Sequence, residues 1–394
     1  MRLSPDRQGS RPTRSVRLLL VVDSLEAGGA ERHVVDLAVA LRRRGYEVTV
    51  ASSIADGLAE PLERADIPVR PLLDRRVKRR LNLAFAWRLR RLIKRGHFDL
   101  VHAHIYASAA AAATANAGVP LVITEHTEAL WQTRSARMVC RWVYARAEHA
   151  IAVSTAIRRR LIERDSVPPQ RITVIPNAVT SAATASHALP SLPAGWHNVP
   201  LVGVVARLQP EKGVAAFLKA AACVAPLFPE VGFLVVGDGP LREELKALAR
   251  QLGLEQRVHF LGHRPDARAL IELLDVLVVP SFTEGSPLIV LETMAAGVPV
   301  VASAVGGIPD QVRHDKEGLL VPPGDPRALG DALLRLLRDS DYARSLGEAG
   351  RERVASEFSY ANMLQRIETV YRAALGQPPA PSATSEGREI KATH

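Results

Sequence analysis

The sequence predicts an α/β protein built from two doubly wound domains, and three observations lead there. Short β-branched runs recur along the chain, each followed by a stretch with helical period, which is the pattern of parallel βαβ units. The series stops near residue 180 and restarts near 200, after SAATASHALPSLPAGWHNVP, a run of small residues, Pro and Gly without periodicity. The length of 394 residues suits two to three domains of about 150.

In the first series, strands are expected at 17–22, 47–51, 100–102, 121–124, 150–153 and 172–175, with helices at 31–44, 82–95, 106–117, 134–147 and 156–164. In the second, strands at 201–206, 232–236, 258–260, 276–279, 300–303 and 319–321 alternate with helices at 214–225, 241–252, 264–274, 288–296, 308–312 and 327–337. A last helix at 360–375 follows a domain that is already complete, so it is expected to return to the first. The organisation is then a domain of 16–180 plus 360–375, a linker at 181–200 and a second domain of 201–359. Residues 1–15 and 376–394 read as flexible polar tails. Two facing domains of this kind leave a cleft at the carboxyl ends of their strands, where doubly wound sheets bind ligands.

With 47% hydrophobic and 23% charged residues the chain can bury a sizeable core. Cys140 and Cys223 have no metal-ligand or disulfide spacing, which favours a reducing compartment. The apolar run at 16–22 is interrupted by Arg17 and too short for a signal peptide, and the Ala-rich stretch 107–123 carries Thr114 and Asn116. No transmembrane segment is expected, and a cytoplasmic location follows.

Several strand-to-helix turns carry groups suited to chemistry. Gly28-Gly29-Ala30-Glu31-Arg32 opens the first helix, either as an anion site where absent side chains expose backbone or as a plain βα turn. Neither domain has the GxGxxG dinucleotide fingerprint. Arg207 and Lys212 sit on a Pro-stiffened turn after the first strand of the second domain, where Arg grips phosphate bidentately and Lys acts as a point charge. After the strand at 276–279, Glu284 lies in a loop and Glu292 about a turn inside a helix opened by Pro287. Between them the backbone of Gly285, Ser286, Leu288 and Ile289 offers amides and a helix dipole to a phosphate, while capping is the plainer role for Glu284. Gly237-Asp238-Gly239-Pro240 reads as structural, and Asp339-Ser340-Asp341 as a helix cap, so no metal site is expected. In the first domain, His102-Ala103-His104 and Thr124-Glu125-His126-Thr127 put polar groups at the cleft edge, with His126 either catalytic or a satisfied polar residue.

Taken in order, GGAER, TEH, VIPNAV, ARLQPEKG, VVGDGP, FLGHR and PSFTEGSPLIVLETMAAGVPVVASAVGG resemble the retaining nucleotide-sugar glycosyltransferases of family 4, which have the GT-B fold. The resemblance covers about residues 17–375, and its most specific piece is the block 280–307 with its EX7E pair. It implies that Arg207 and Lys212 bind the donor diphosphate, Glu292 the ribose and Glu284 the transferred sugar. The backbone of 285–289 would complete the phosphate cradle, Gly28 and Gly29 would close over it, and His126 would lie beside the reacting sugar. It also implies transfer with retention and without a metal or other cofactor, from a UDP-sugar ahead of GDP-mannose, to a lipid-linked or saccharide acceptor. Gln209 and Asn177-Ala178 depart from many relatives without removing a charge.

Between residues 70 and 95 there are eleven basic residues against Asp74 alone, a surplus equal to the +10 of the whole chain. The helix at 82–95 puts Phe85, Leu89, Leu92 and Ile93 on one face, with Arg88, Arg91, Arg95 and Trp87 elsewhere. The segment 75–95 is expected to touch an anionic membrane, at the inner face of the cytoplasmic membrane, the plainer alternative being that the apolar face packs on its own sheet and the arginines are solvated. Two other readings are an NAD-dependent oxidoreductase, disfavoured by the missing fingerprint, and a basic nucleic-acid-binding protein, disfavoured by too few interleaved aromatics.

Overall fold

In the computed structural model, which describes residues 15–26, 28–54, 57–77, 82–115, 117–127, 134–179, 192, 196 and 198–378, the chain forms two parallel sheets. The first contains β1 (Arg17–Val21), β2 (Glu47–Ser52), β3 (Val69–Pro71), β4 (Leu100–His104), β5 (Leu121–Glu125), β6 (His149–Ala152) and β7 (Ile172–Val174), in the order β3-β2-β1-β4-β5-β6-β7. The second contains β8 (Leu201–Val205), β9 (Gly232–Val236), β10 (Val258–Gly262), β11 (Val276–Val279), β12 (Val300–Ser303) and β13 (Gly318–Val321), in the order β10-β9-β8-β11-β12-β13. Helices cover both faces, so strands such as RLLLV and GFLVV are apolar runs rather than alternating ones. In each sheet the order reverses beside its first strand, between β1 and β4 and between β8 and β11, and these are the points where a crevice opens. The tails and most of the linker lie outside the described residues.

Three elements were not anticipated. β3 is three residues long and ends in Pro71, which only an edge strand accommodates. A five-residue helix, Glu60–Arg64, precedes it. The helix Ser340–Glu357 has a nearly polar sequence, and part of its buried face is Gly347 and Gly350, which hydropathy does not register as a core stripe. A Cβ on Gly347 would stand 2.0 Å from the carbonyl oxygen of Gly297, so its glycine lets this helix pack against the end of helix Leu288–Ala296. Asp339 caps it, its carboxylate accepting from the Tyr342 amide at 2.9 Å.

The final helix, Tyr360–Ala374, buries Met363, Leu364, Ile367, Val370 and Tyr371 in one cluster with Leu18, Val34 and Leu41 of the first domain. It is fastened there by a polar link. His102 Nδ1 lies 2.6 Å from the Tyr371 hydroxyl and Nε2 lies 2.7 Å from Thr124 Oγ1. His102 is thus a core residue, not the cleft-edge group expected, because β4 runs two residues further than its hydropathy suggests.

In the helix Leu83–Gly96 the apolar face packs on its own sheet, the plainer of its two readings. Asn82 caps it, accepting from the Phe85 amide at 3.0 Å, and the stripe Phe85, Leu89 and Ile93 is buried on the first sheet with Leu92 packed at its margin. That stripe is core and is not available to a membrane. Arg88 donates to the Leu72 carbonyl and Arg76 pairs with Glu26 at 2.6 Å, so part of the basic segment is engaged within the domain. Lys78, Arg79 and Arg80 lie outside the described residues.

Replacing Tyr371 with Phe leaves a buried imidazole nitrogen without its partner, which costs about 1–3 kcal/mol. Urea unfolding of Tyr371→Phe should show that loss, and an unchanged midpoint would show that the hydroxyl does not fasten the closing helix.

Candidate active site

The second domain builds its half of the site at the β8/β11 switch point. Beyond β8 the chain carries Arg207 outward, then tightens into the turn Pro210–Lys212. The loop after β9 supports this segment, since the Leu208 amide donates to the Asp238 carbonyl at 2.9 Å and that of Leu241 to the Leu208 carbonyl at 3.2 Å. Gly213 then takes a left-handed φ of 64°, and a Cβ there would stand 2.0 Å from the Pro280 carbonyl oxygen. Only glycine lets the turn after β8 lie so close to the loop after β11. The Phe282 amide donates to the Glu211 carbonyl at 2.8 Å, and Lys212 Nζ donates to Glu284 Oε1 at 2.7 Å. Ser281 Oγ donates to the same carboxylate oxygen at 2.7 Å.

Glu284 therefore stands with its carboxylate fixed by two donors, just ahead of the helix Leu288–Ala296. Pro287 is the residue before the first helical turn, so the amides of Leu288 and Ile289 are among those with no partner in their own helix. The Ser286 side chain turns away from them. Its hydroxyl accepts from Gln311 Nε2 at 3.0 Å and its carbonyl accepts from Asn177 Nδ2 at 2.7 Å, which ties the loop to the chain leaving the first domain. Glu292 stands one turn inside the helix, 3.8 Å from Arg32 of the first domain. Burial pushes the Glu292 carboxyl above its ordinary range, with Arg32 and Arg268 opposing.

The first domain supplies the facing wall. Gly28 precedes the helix Gly29–Arg43, and the Glu31 carboxylate folds back over it, so a Cβ on Gly28 would lie 2.2 Å from Glu31 Oε2. Gly29 has open space around it. Burial raises the Glu31 carboxyl, and among the charges acting on it is Arg207 across the cleft. His126, just past β5, is buried, with Nε2 3.1 Å from His104 Nδ1 and its ring edge-on to His33 at 5.1 Å. Burial, reinforced by neighbouring imidazoles, holds His126 and His104 well below the usual histidine range, and burial brings His33 down to about 4. At neutral pH these rings are uncharged, able to donate one hydrogen bond each but not to act as cations.

The two walls meet at the loop that carries Glu284. A Cβ on Gly285 would lie 1.9 Å from the His126 carbonyl oxygen, so the two backbones are in contact there. Nearby, the Thr155 amide and hydroxyl each donate to the Asp310 carboxylate at 2.7 Å. A cavity of about 620 Å³ opens between the domains, lined among others by Arg32, Asp36, Arg268, Leu288, Glu292 and Tyr360.

Comparison with known proteins places this arrangement. Residues 27–182 match the family model described as Glycosyltransferase Family 4, and residues 195–353 match that of Glycosyl transferases group 1. The D-inositol 3-phosphate glycosyltransferase of Corynebacterium aurimucosum is 31% identical over 71% of this chain and 72% of its own. The chain belongs to glycosyltransferase family 4. The enzyme of the same name from Thermobispora bispora is 29% identical over 89% of this chain and 91% of its own. The UDP-Gal:alpha-D-GlcNAc-diphosphoundecaprenol alpha-1,3-galactosyltransferase of Escherichia coli is 28% identical over 72% and 77%. Among solved structures, Anabaena Alr3699/HepE in complex with UDP superposes with a TM-score of 0.77 at 24% identity, over 91% of this chain and all of that one, which shows the GT-B fold.

In this family 4 glycosyltransferase the structure brings Arg207, Lys212, Glu284 and the start of helix Leu288–Ala296 to one switch point, with Gly28, Gly29 and His126 on the opposing wall. Sequence reasoning missed His33 and Glu31. His33 lies within an amphipathic helix where its periodicity marks it as ordinary core, and only the fold places it against His104 and His126. Among the described residues, these three histidines are the donor set that could hold a metal, their ring nitrogens all lying within 4.8 Å of one another. The set contains no carboxylate, whereas the hard cations that bridge diphosphates take oxygen ligands.

Two outcomes follow from this geometry. Gly285→Ala forces the domains apart at His126 and should lower stability by about 1–3 kcal/mol, whereas Gly29→Ala, in open space, should leave it nearly unchanged; equal effects in chemical denaturation would contradict the contact. The histidines are protonated near 6.5 when unfolded, but His33 only near 4 and His102 only near 3 when folded. Their contribution is present above pH 6.5 and lost as pH falls, by about 1.4 kcal/mol per pH unit for each. Unfolding free energy should therefore drop between pH 7 and pH 5, and His33→Asn should flatten that slope; a flat profile in the parent would refute the neutral cluster.

Proposed function

We propose that the protein is a retaining glycosyltransferase that moves a sugar from a nucleotide-sugar, a UDP-sugar ahead of GDP-mannose, to a hydroxyl of a lipid-linked or saccharide acceptor. The observation that carries this reading is the Lys212–Glu284 pair set against a helix N-terminus at the β8/β11 switch point, facing Gly28 and Gly29. A diphosphate seated there meets Arg207, Lys212 and the amides of Leu288 and Ile289, while Glu292 reaches the ribose hydroxyls and Glu284 those of the sugar. The bond from the anomeric carbon to the diphosphate breaks, the acceptor oxygen bonds to that carbon on the same face, and the acceptor proton passes to the departing phosphate. Charge developing on the diphosphate is met by fixed cations and amides, which is where such a site lowers the barrier. Neutral His126 donates a hydrogen bond to the sugar and needs no titration to do so.

The donor-side cations make a bridging metal unnecessary, and the histidine set lacks the ligands for one. UDP as the nucleotide is supported by the bound UDP of HepE and by the name of the E. coli relative, whose diphosphoundecaprenol acceptor also supports a lipid-linked one. The product then enters polysaccharide, lipopolysaccharide or glycolipid synthesis at the inner face of the cytoplasmic membrane. Among the described residues no helix is long and apolar enough to cross a membrane, which suits peripheral attachment. The twin parallel sheets on which an NAD-dependent oxidoreductase reading rested are those of the GT-B fold, and we assign no nucleic-acid partner.

Thermal unfolding in EDTA with UDP, GDP, ADP or NAD tests the donor assignment. UDP at about a hundred times its dissociation constant should add roughly 2.7 kcal/mol; a response to NAD alone, or to none, would refute it. Glu284→Ala and Arg207→Ala should each remain folded and lose transfer by about a hundredfold or more, and wild-type turnover in either would remove that residue from the mechanism.

A further inference from the structure

Three histidines from three separate elements of the first domain converge beside the cleft. His104 ends β4, His126 follows β5, and His33 lies in the second turn of helix Gly29–Arg43. They meet next to the β1/β4 switch point, so each is carried by a rigid part of the fold. His104 Nδ1 and His126 Nε2 stand 3.1 Å apart, and one ring nitrogen from each of the three residues lies within 4.8 Å of the others. The ring centres are 5.1 Å apart for His33 and His126, 5.4 Å for His104 and His126, and 5.7 Å for His33 and His104.

Hydrogen bonding within the protein does not use up these rings. A neutral imidazole has one donor and one acceptor nitrogen. If His104 donates to His126, its Nε2 is a buried lone pair without a donor; if His126 donates instead, that Nε2 is a buried N–H without an acceptor. In either case His104 Nε2 has no hydrogen-bond partner among the described residues, and a buried polar atom left over in this way calls for an explanation. A tetrahedral cation with bonds of about 2.0–2.1 Å sets its ligand nitrogens about 3.3 Å apart and the centres of imidazole ligands about 5.2 Å apart. The observed ring spacings lie close to that value, and no pair of ligand atoms has to close by more than about 1.5 Å. Imidazole nitrogens without a carboxylate suit zinc, copper or nickel ions rather than magnesium or calcium. The little surface the three keep belongs to His33 and His126, at 6% and 8% exposure against none for His104, so a cation enters on their side. Three protein ligands leave its fourth position to water or an anion.

We propose that His33, His104 and His126 form a binding site for one divalent transition cation of the zinc class, and that its occupancy blocks sugar transfer. Such a cation is not a metal that bridges the donor diphosphate, for which the three residues lack oxygen ligands. It draws the His126 ring into its coordination sphere and away from the sugar, so it acts as an inhibitor and its removal restores activity. The blocking step rests on the place given to His126 beside the sugar in the proposed function; the cation site itself does not.

The test is titration of the tag-free, metal-stripped full chain with Co2+, read as the visible absorption bands of a four-coordinate cobalt site. One equivalent should saturate the bands, zinc should abolish them and magnesium should not. His33→Asn and His104→Gln should each weaken binding at least about a hundredfold, whereas His314→Asn, at an exposed histidine, should leave it unchanged. His33→Asn carries the expectation alone if the wholly buried His104→Gln does not fold. Turnover of a UDP-sugar, followed as UDP release, should be lost with one equivalent of zinc and recover in EDTA, and zinc should not lower the turnover of His33→Asn. No four-coordinate bands in the parent, or bands that survive in His33→Asn, would overturn the site, and full turnover of the zinc-loaded chain would overturn the block. A parent that binds cobalt as expected but releases UDP from no UDP-sugar would support the site and overturn the donor assignment instead.

Discussion

The site depends on one ion pair. Lys212 and Glu284 come from loops that follow two different strands, and their contact at 2.7 Å is possible because Gly213 lets one loop rest on the backbone of the other. Both groups are sheltered, at 27% and 10% side-chain exposure, so neither charge is well screened and each fixes the other. A diphosphate bound as proposed would compete with Glu284 for Lys212, which would tie donor binding to the position of that carboxylate. Arg207 sits on the same segment, and the loop after β9 supports it from behind.

The loop that bears Glu284 is also the loop that touches the first domain. Gly285 rests on the His126 backbone, Ser286 is joined to Asn177, and Asp310 receives Thr155. The spacing of the two walls is thus set at the residues that would handle the sugar, not at a distant hinge. The first-domain wall contributes imidazoles that burial keeps uncharged at neutral pH, together with Arg32, which faces Glu292.

Most of the fold was legible because parallel strands covered on both faces read as apolar runs. What escaped had physical reasons. β3 is too short and Pro-terminated to stand out, and helix Ser340–Glu357 packs through glycine. For the stripe Phe85, Leu89 and Ile93 the sequence left membrane contact and core packing both open, because periodicity marks an apolar face without saying what covers it. Arg207, Lys212 and Glu284 stood out by their place just after strand ends and Glu292 by its place a turn inside the helix that follows, and the roles proposed for them come from the family resemblance. His33 could not be found that way, since nothing in a helical period distinguishes a core histidine from one aimed at a cleft.

The most direct measurement is a crystal structure of the protein grown with UDP in the absence of divalent metal. The account predicts the diphosphate within hydrogen-bond distance of Arg207, Lys212 and the amides at the start of helix Leu288–Ala296, with Glu292 on the ribose. A diphosphate bound elsewhere, or held only through a metal ion, would contradict it.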